Sequence, residues 1–146
     1  SLQEQPSQPV TRAQQLAGGL ILFKGLIGVA ERMVLPETVL FRLSGQGGPV
    51  VIVDVLLGAV LLAGKRGVVE MALLKFALEL VLIVNVRMQQ GEYLLAGARV
   101  AVCLAFVLLL LRGAGRVRIA VAILLFAVYL GVEALALTEA LAWLAE

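Results

Sequence analysis

Glu70, Lys75, Glu79 and Asn85 lie inside one apolar, helix-length run, Val68 to Val86 (VVEMALLKFALELVLIVNV). Ionised groups in hydrocarbon are costly, so they pair with one another or mark ion and proton pathways. Lys75 and Glu79 are four residues apart and share a face of a helix. Four further apolar runs each carry a charge of their own: Lys24, Asp54, Arg99 and Glu133. The chemistry open to such a set is ion pairing between helices, or a proton or ion relay. The usual enzymatic side chains are scarce. With no His and one Cys, Cys103, the chain has no intramolecular disulfide, no His-ligated metal or haem and no His-based triad. Neither a cofactor nor a metal is expected.

The elements that must hold these residues follow from composition. The chain has 146 residues, 62% hydrophobic and 15% charged, with a mean hydropathy of +1.04. That is far more apolar than a soluble domain. An all-α, polytopic transmembrane helix bundle is expected, with the lipid bilayer as its surroundings. The net charge of +2 is too small and too scattered for a nucleic-acid surface.

Residues 1–12 form a polar leader with Pro6 and Pro9, and residues 13–146 a single helical domain. Thr11 and Gln14 have the spacing of a capping box. About five spans follow, over 13–30, 49–64, 68–86, 93–111 and 119–137, given that a span needs about 20 apolar residues. The second is short. A cleaved signal peptide fits the first run poorly, because Lys24 interrupts it and Glu31-Arg32 follow it. Around Pro36 the first loop mixes charged and apolar residues, which suits a short interfacial helix. Trp143 suits an interfacial anchor.

Five spans would put Arg12, Lys65, Arg66, Arg112, Arg116 and Arg118 on the N-terminal side, against Arg32, Arg42 and Arg87 opposite. The bias favours a cytoplasmic N-terminus with the C-terminus outside, and the expected location is the cell (inner) membrane, crossed several times. The same topology sorts charges by depth. Lys24 and Glu79 fall near the midplane, Lys75 one turn away. Asp54, Arg99 and Glu133 fall in the outer third, and Glu70 near the inner interface beside Arg66. The run Val68 to Val86 is then the central rod of the bundle.

Small residues mark close helix approach. Gly97, Ala101 and Ala105 make a ladder on the fourth span, Ala127 and Gly131 a shorter one on the fifth, and Gly18 and Gly25 line one side of the first. The neighbour is another helix of the chain, a partner subunit or a second copy in a homo-oligomer. Cys103 reads as a packing residue. The cluster Arg112 to Arg118 (RGAGRVR) reads as a topology signal. Leu61–Val69 (LLAGKRGVV) echoes Leu94–Val102 (LLAGARVAV), a likeness that biased apolar sequence produces by chance.

Phe23-Lys24-Gly25 in the first span, and Gly64-Lys65-Arg66 leading to Glu70 before a short polar link into another span, resemble small bacterial multispan inner-membrane proteins of unknown function. That resemblance implies a helical membrane fold and brings no catalytic residue. The expected function is non-enzymatic, an accessory, assembly or scaffolding subunit acting through helix packing. The competing expectation is a small ion- or proton-coupled transporter or channel using Lys24, Lys75 and Glu79.

Overall fold

A computed structural model describes residues 10–35, 48–89 and 91–145. Over these the chain is an all-helical bundle with no strand. Its helices are α1 (Arg12–Val34), α2 (Gly48–Leu62), α3 (Val69–Gln89), α4 (Tyr93–Leu110) and α5 (Arg116–Ala145). Most of the interfacial helix expected in the first loop, and of the polar leader, lies outside the described residues.

Local chemistry sets the boundaries. At the start of α1 the Thr11 hydroxyl accepts from the Gln14 amide, while the Gln14 side chain accepts from the Thr11 amide. This satisfies two N–H groups that a helix start leaves open. Helix α2 ends in a left-handed glycine, Gly64 at φ +83°. The Gly64 amide donates to Leu61 O and the Lys65 amide to Val60 O. That Schellman arrangement consumes the last carbonyls of α2 and reverses the chain. The echo of Leu61–Val69 in Leu94–Val102 has no structural counterpart, because the first stretch straddles this turn and the second lies within α4. Helix α5 runs through Thr138, whose hydroxyl donates to Ala134 O, so the fifth helix reaches 30 residues.

Three helices, α1, α4 and α5, are long and apolar enough to cross a membrane. The other two expected spans fall outside that class for opposite reasons. Helix α2 has 15 residues, about 22 Å against a hydrocarbon core of about 30 Å. Helix α3 is long enough but carries Glu70, Lys75 and Glu79.

The most enclosed helix is α4, with 56% of its apolar window buried against 17% for α5. It packs on α1, α3 and α5, while α2 lies chiefly on α1. The centre of the bundle is therefore α4, and the expectation of α3 as central rod is corrected. An apolar helix with one charge can be surrounded at lower cost than one with several. Around α4 a chain of rings joins four helices: Phe76 and Phe106 have centroids 4.7 Å apart, Phe106 and Phe126 5.8 Å, and Phe126 and Phe23 6.4 Å. Such tilted pairs add to the area they bury.

The polarity of α3 is inverted relative to a soluble helix. Ala72, Phe76 and Glu79 are buried, whereas Met71, Leu74, Leu78 and Val81 are exposed at the same helical spacing. On α5, Val117, Val121, Leu124, Val128 and Leu135 form a second exposed apolar stripe. Lys24, Asp54, Glu79 and Arg99 face inward and many large aliphatics outward, the arrangement that lipid favours.

Candidate functional site: an inward-facing ion network

Backbone contact between α1 and α2 builds the site. A Cβ on Gly58 would lie 2.4 Å from the Leu22 amide nitrogen, and one on Gly25 would lie 2.8 Å from Val55 Cγ2. Gly18 meets Leu61 in the same way, at 2.7 Å, and Gly28 meets Val51 at 3.1 Å. At Gly18, Gly25 and Gly58 a side chain would run into backbone of the other helix, so glycine permits the approach there. It brings Asp54 across from Lys24, one residue before Gly25.

Lys24 Nζ donates to Asp54 Oδ2 at 2.8 Å. Lys75 Nζ donates to Asp54 Oδ1 and to Glu79 Oε2, both at 2.5 Å. Glu79 Oε1 lies 4.0 Å from Lys24 Nζ, which closes a ring of two ammonium and two carboxylate groups. Arg99 extends it. Its Nη1 lies 3.8 Å from Glu79 Oε1 and its Nη2 3.6 Å from Glu133 Oε1. The guanidinium also sits 5.8 Å from the Tyr129 ring, a cation–π distance.

Each of the five described helices thus contributes a charge, and among the described residues three cations meet three anions. Lys24, Asp54, Glu79 and Arg99 are each at most 5% exposed. Burial at this depth is tolerable only because each charge has an opposite one beside it, and removing a single partner costs about 3–5 kcal/mol. The arrangement can lock five helices into one register, or pass a proton among carboxylates whose partners stay charged.

Of the charges sorted by depth, Lys24, Lys75 and Glu79 come together. Asp54 joins them rather than Arg99, because the glycine contact, not span depth, sets its position. Arg99 and Glu133 do meet. Glu70 and Asn85 are exposed and outside the network. Glu70 instead lines a crevice with Gln14, Leu110 and Arg112. Among the small residues, Gly18 and Gly25 make the α1–α2 contact, and Ala101 and Ala105 are buried. Gly97 and Gly131 have no neighbour that a Cβ would touch, and Ala127 is exposed. Those upper rungs face away from the bundle.

Residues missed in sequence include Gly58, Gly28 and Tyr129 as a partner of Arg99, and Gln14 was read for its cap alone. Gly58 follows Asp54 by four residues and Tyr129 precedes Glu133 by four, spacings that place each pair on one face. Nothing in the sequence pointed to the bond from the buried Gln14 amide to Leu110 O, 2.7 Å and 96 residues away in sequence.

A cleft of about 40 Å³ adjoins the network, lined by Lys24, Glu31, Asp54, Arg99, Tyr129 and Glu133 among others. Arg99 Nε and Glu133 Oε1 are buried there without a hydrogen-bond partner. The 3.6 Å ion pair between these residues is too long for a hydrogen bond. The space is sufficient for water, which needs roughly 10–15 Å³ of such volume, and water can bridge charged groups at this separation. Among the described residues no group of His, Cys, Asp and Glu is arranged to hold a metal ion.

The fold and site define, over the described residues, an all-α bundle with three helices long and apolar enough to cross a membrane and an inward-facing network of three cations and three anions. Comparison with known protein families, curated proteins and solved structures finds no match.

Proposed function

We propose that the chain is a non-enzymatic integral membrane protein, an accessory, assembly or scaffolding subunit that acts through helix packing. It lies in the inner membrane with its N-terminus cytoplasmic. The observation that carries this reading is the closure of the network: six charges from five helices neutralise one another. These six charges are matched inside the chain, which leaves the exposed aliphatics of α3 and the small residues Gly97, Ala127 and Gly131 for lipid or for another polypeptide. Gentle purification from native membranes tests it. A partner retained in fixed ratio, and lost on Gly97→Leu or Gly131→Leu, is the expected result; a chain that purifies alone or only with copies of itself overturns it.

A second reading, a small ion- or proton-coupled transporter using Lys24, Lys75 and Glu79, draws on the water-sized cleft beside Arg99 and Glu133. Proteoliposome flux that disappears in Glu79→Gln, at unchanged helical content, would favour it. Flux absent from the unaltered protein would remove it.

A further inference from the structure

One end of the bundle collects the start of α1, the end of α2, the start of α3, the end of α4 and the start of α5. Gln14 binds Leu110 O across it, and a Cβ on Gly64 would lie 3.8 Å from the Gln15 side chain. This end carries Arg12, Lys65, Arg66, Arg112, Arg116 and Arg118, with Glu70 as the only acid among the described residues there. At the α4–α5 turn, Arg118 folds back on the chain. Its Nε donates to Leu108 O at 2.8 Å, and its Nη2 donates to Leu111 O and to Arg112 O. Carbonyls in the last turn of a helix lack partners within it, so these bonds fix the guanidinium at the mouth of the turn.

Beside it lies an open groove of about 530 Å³, lined by Leu108, Gly115, Val117 and Val121 together with Arg116 and Arg118. Arg116 is exposed. The groove continues into the exposed stripe of α5, through Leu124 and Val128. A long apolar track thus begins at two guanidinium groups.

We propose that this groove binds one anionic phospholipid, its acyl tail along Val117, Val121 and Leu124 and its phosphate on Arg116 and Arg118. The assignment rests on the membrane placement of that reading and not on the subunit role, so loss of a co-purifying partner would leave it standing. Charge complementarity selects the occupant, since each basic group near the membrane surface favours an anionic head group by about fivefold in affinity. The apolar track selects a molecule with a tail over a free phosphate. A topology signal alone would require basic residues but no groove.

The test is native mass spectrometry of the purified full chain in neutral detergent, titrated with phosphatidylglycerol or phosphatidylcholine. One phosphatidylglycerol is expected to be retained in preference to phosphatidylcholine, with the preference reduced about fivefold in Arg116→Gln. Val121→Trp fills the groove with every charge kept, and is expected to lower retention. Glycerol phosphate, the head group without tails, is expected not to displace the lipid. Arg118→Gln is avoided because it removes the bonds that close the turn, and circular dichroism checks that both variants keep their helices. Equal retention of the two lipids, an unchanged preference in Arg116→Gln, unchanged retention in Val121→Trp, or displacement by glycerol phosphate would each overturn the proposal.

Discussion

Lys24 and Asp54 meet at 2.8 Å where α1 and α2 touch backbone to backbone, one residue before Gly25 on the first helix and four before Gly58 on the second. The ion pair and the glycine contact are one structural unit. Without the glycines the helix axes separate and the lysine loses its carboxylate; without the carboxylate a buried ammonium is left in an apolar interface.

Asp54 serves two lysines, so Asp54→Asn is expected to destabilise by about 3–5 kcal/mol. Replacing Lys24 and Asp54 together by Met and Leu should cost less than the two single changes added, because no buried charge is left at the α1–α2 contact and Lys75 retains Glu79. Denaturant unfolding in detergent provides the cycle. Strict additivity would mean that the two side chains do not interact.

Gly58→Ala is expected to cost about 1–3 kcal/mol, the range for overpacking, since its Cβ would sit 2.4 Å from backbone. Gly97→Ala is the control. That position is open, and alanine should stabilise the helix by about 0.5–1 kcal/mol. Thermal melts of the two proteins should therefore move in opposite directions.

Gln14→Leu removes the amide bound to Leu110 O and half of the capping box. A loss of about 1–3 kcal/mol is expected from the buried carbonyl. Thr11→Val, which spares that bond, should cost about 1 kcal/mol. A smaller effect from Gln14→Leu than from Thr11→Val would show that the tie between α1 and α4 contributes little.

Cys103 is fully buried in α4, and its reaction with a maleimide should require opening of the bundle. Labelling is expected to be slow in the folded protein and rapid in denaturant, and faster in Asp54→Asn. Immediate labelling of the unaltered protein would place this face of α4 at the surface.

All five described helices were legible, because apolar runs broken by Gly, Pro and charged turns leave the chain little alternative to helix in an apolar solvent. The capping box and the Gly64 turn were equally local. So was the i, i+4 pair of Lys75 and Glu79, since helix geometry alone puts them on one face. Reading α3 as the central rod failed for a physical reason: charge density shows which helix needs partners, not which helix the others surround.

What the amino-acid order determined by itself is the kind of solvent the chain suits, the helices it forms there and the presence of interior charges that need matching. Tertiary structure alone decided the matching. Asp54 meets Lys24 and Lys75 rather than Arg99 because Gly18, Gly25 and Gly58 let two backbones touch, and Arg99 reaches both Glu79 and Glu133 because α4 lies between α3 and α5. Depth along a span is a sum of residue rises and can be counted from sequence; which faces meet depends on side-chain volumes on two helices at once.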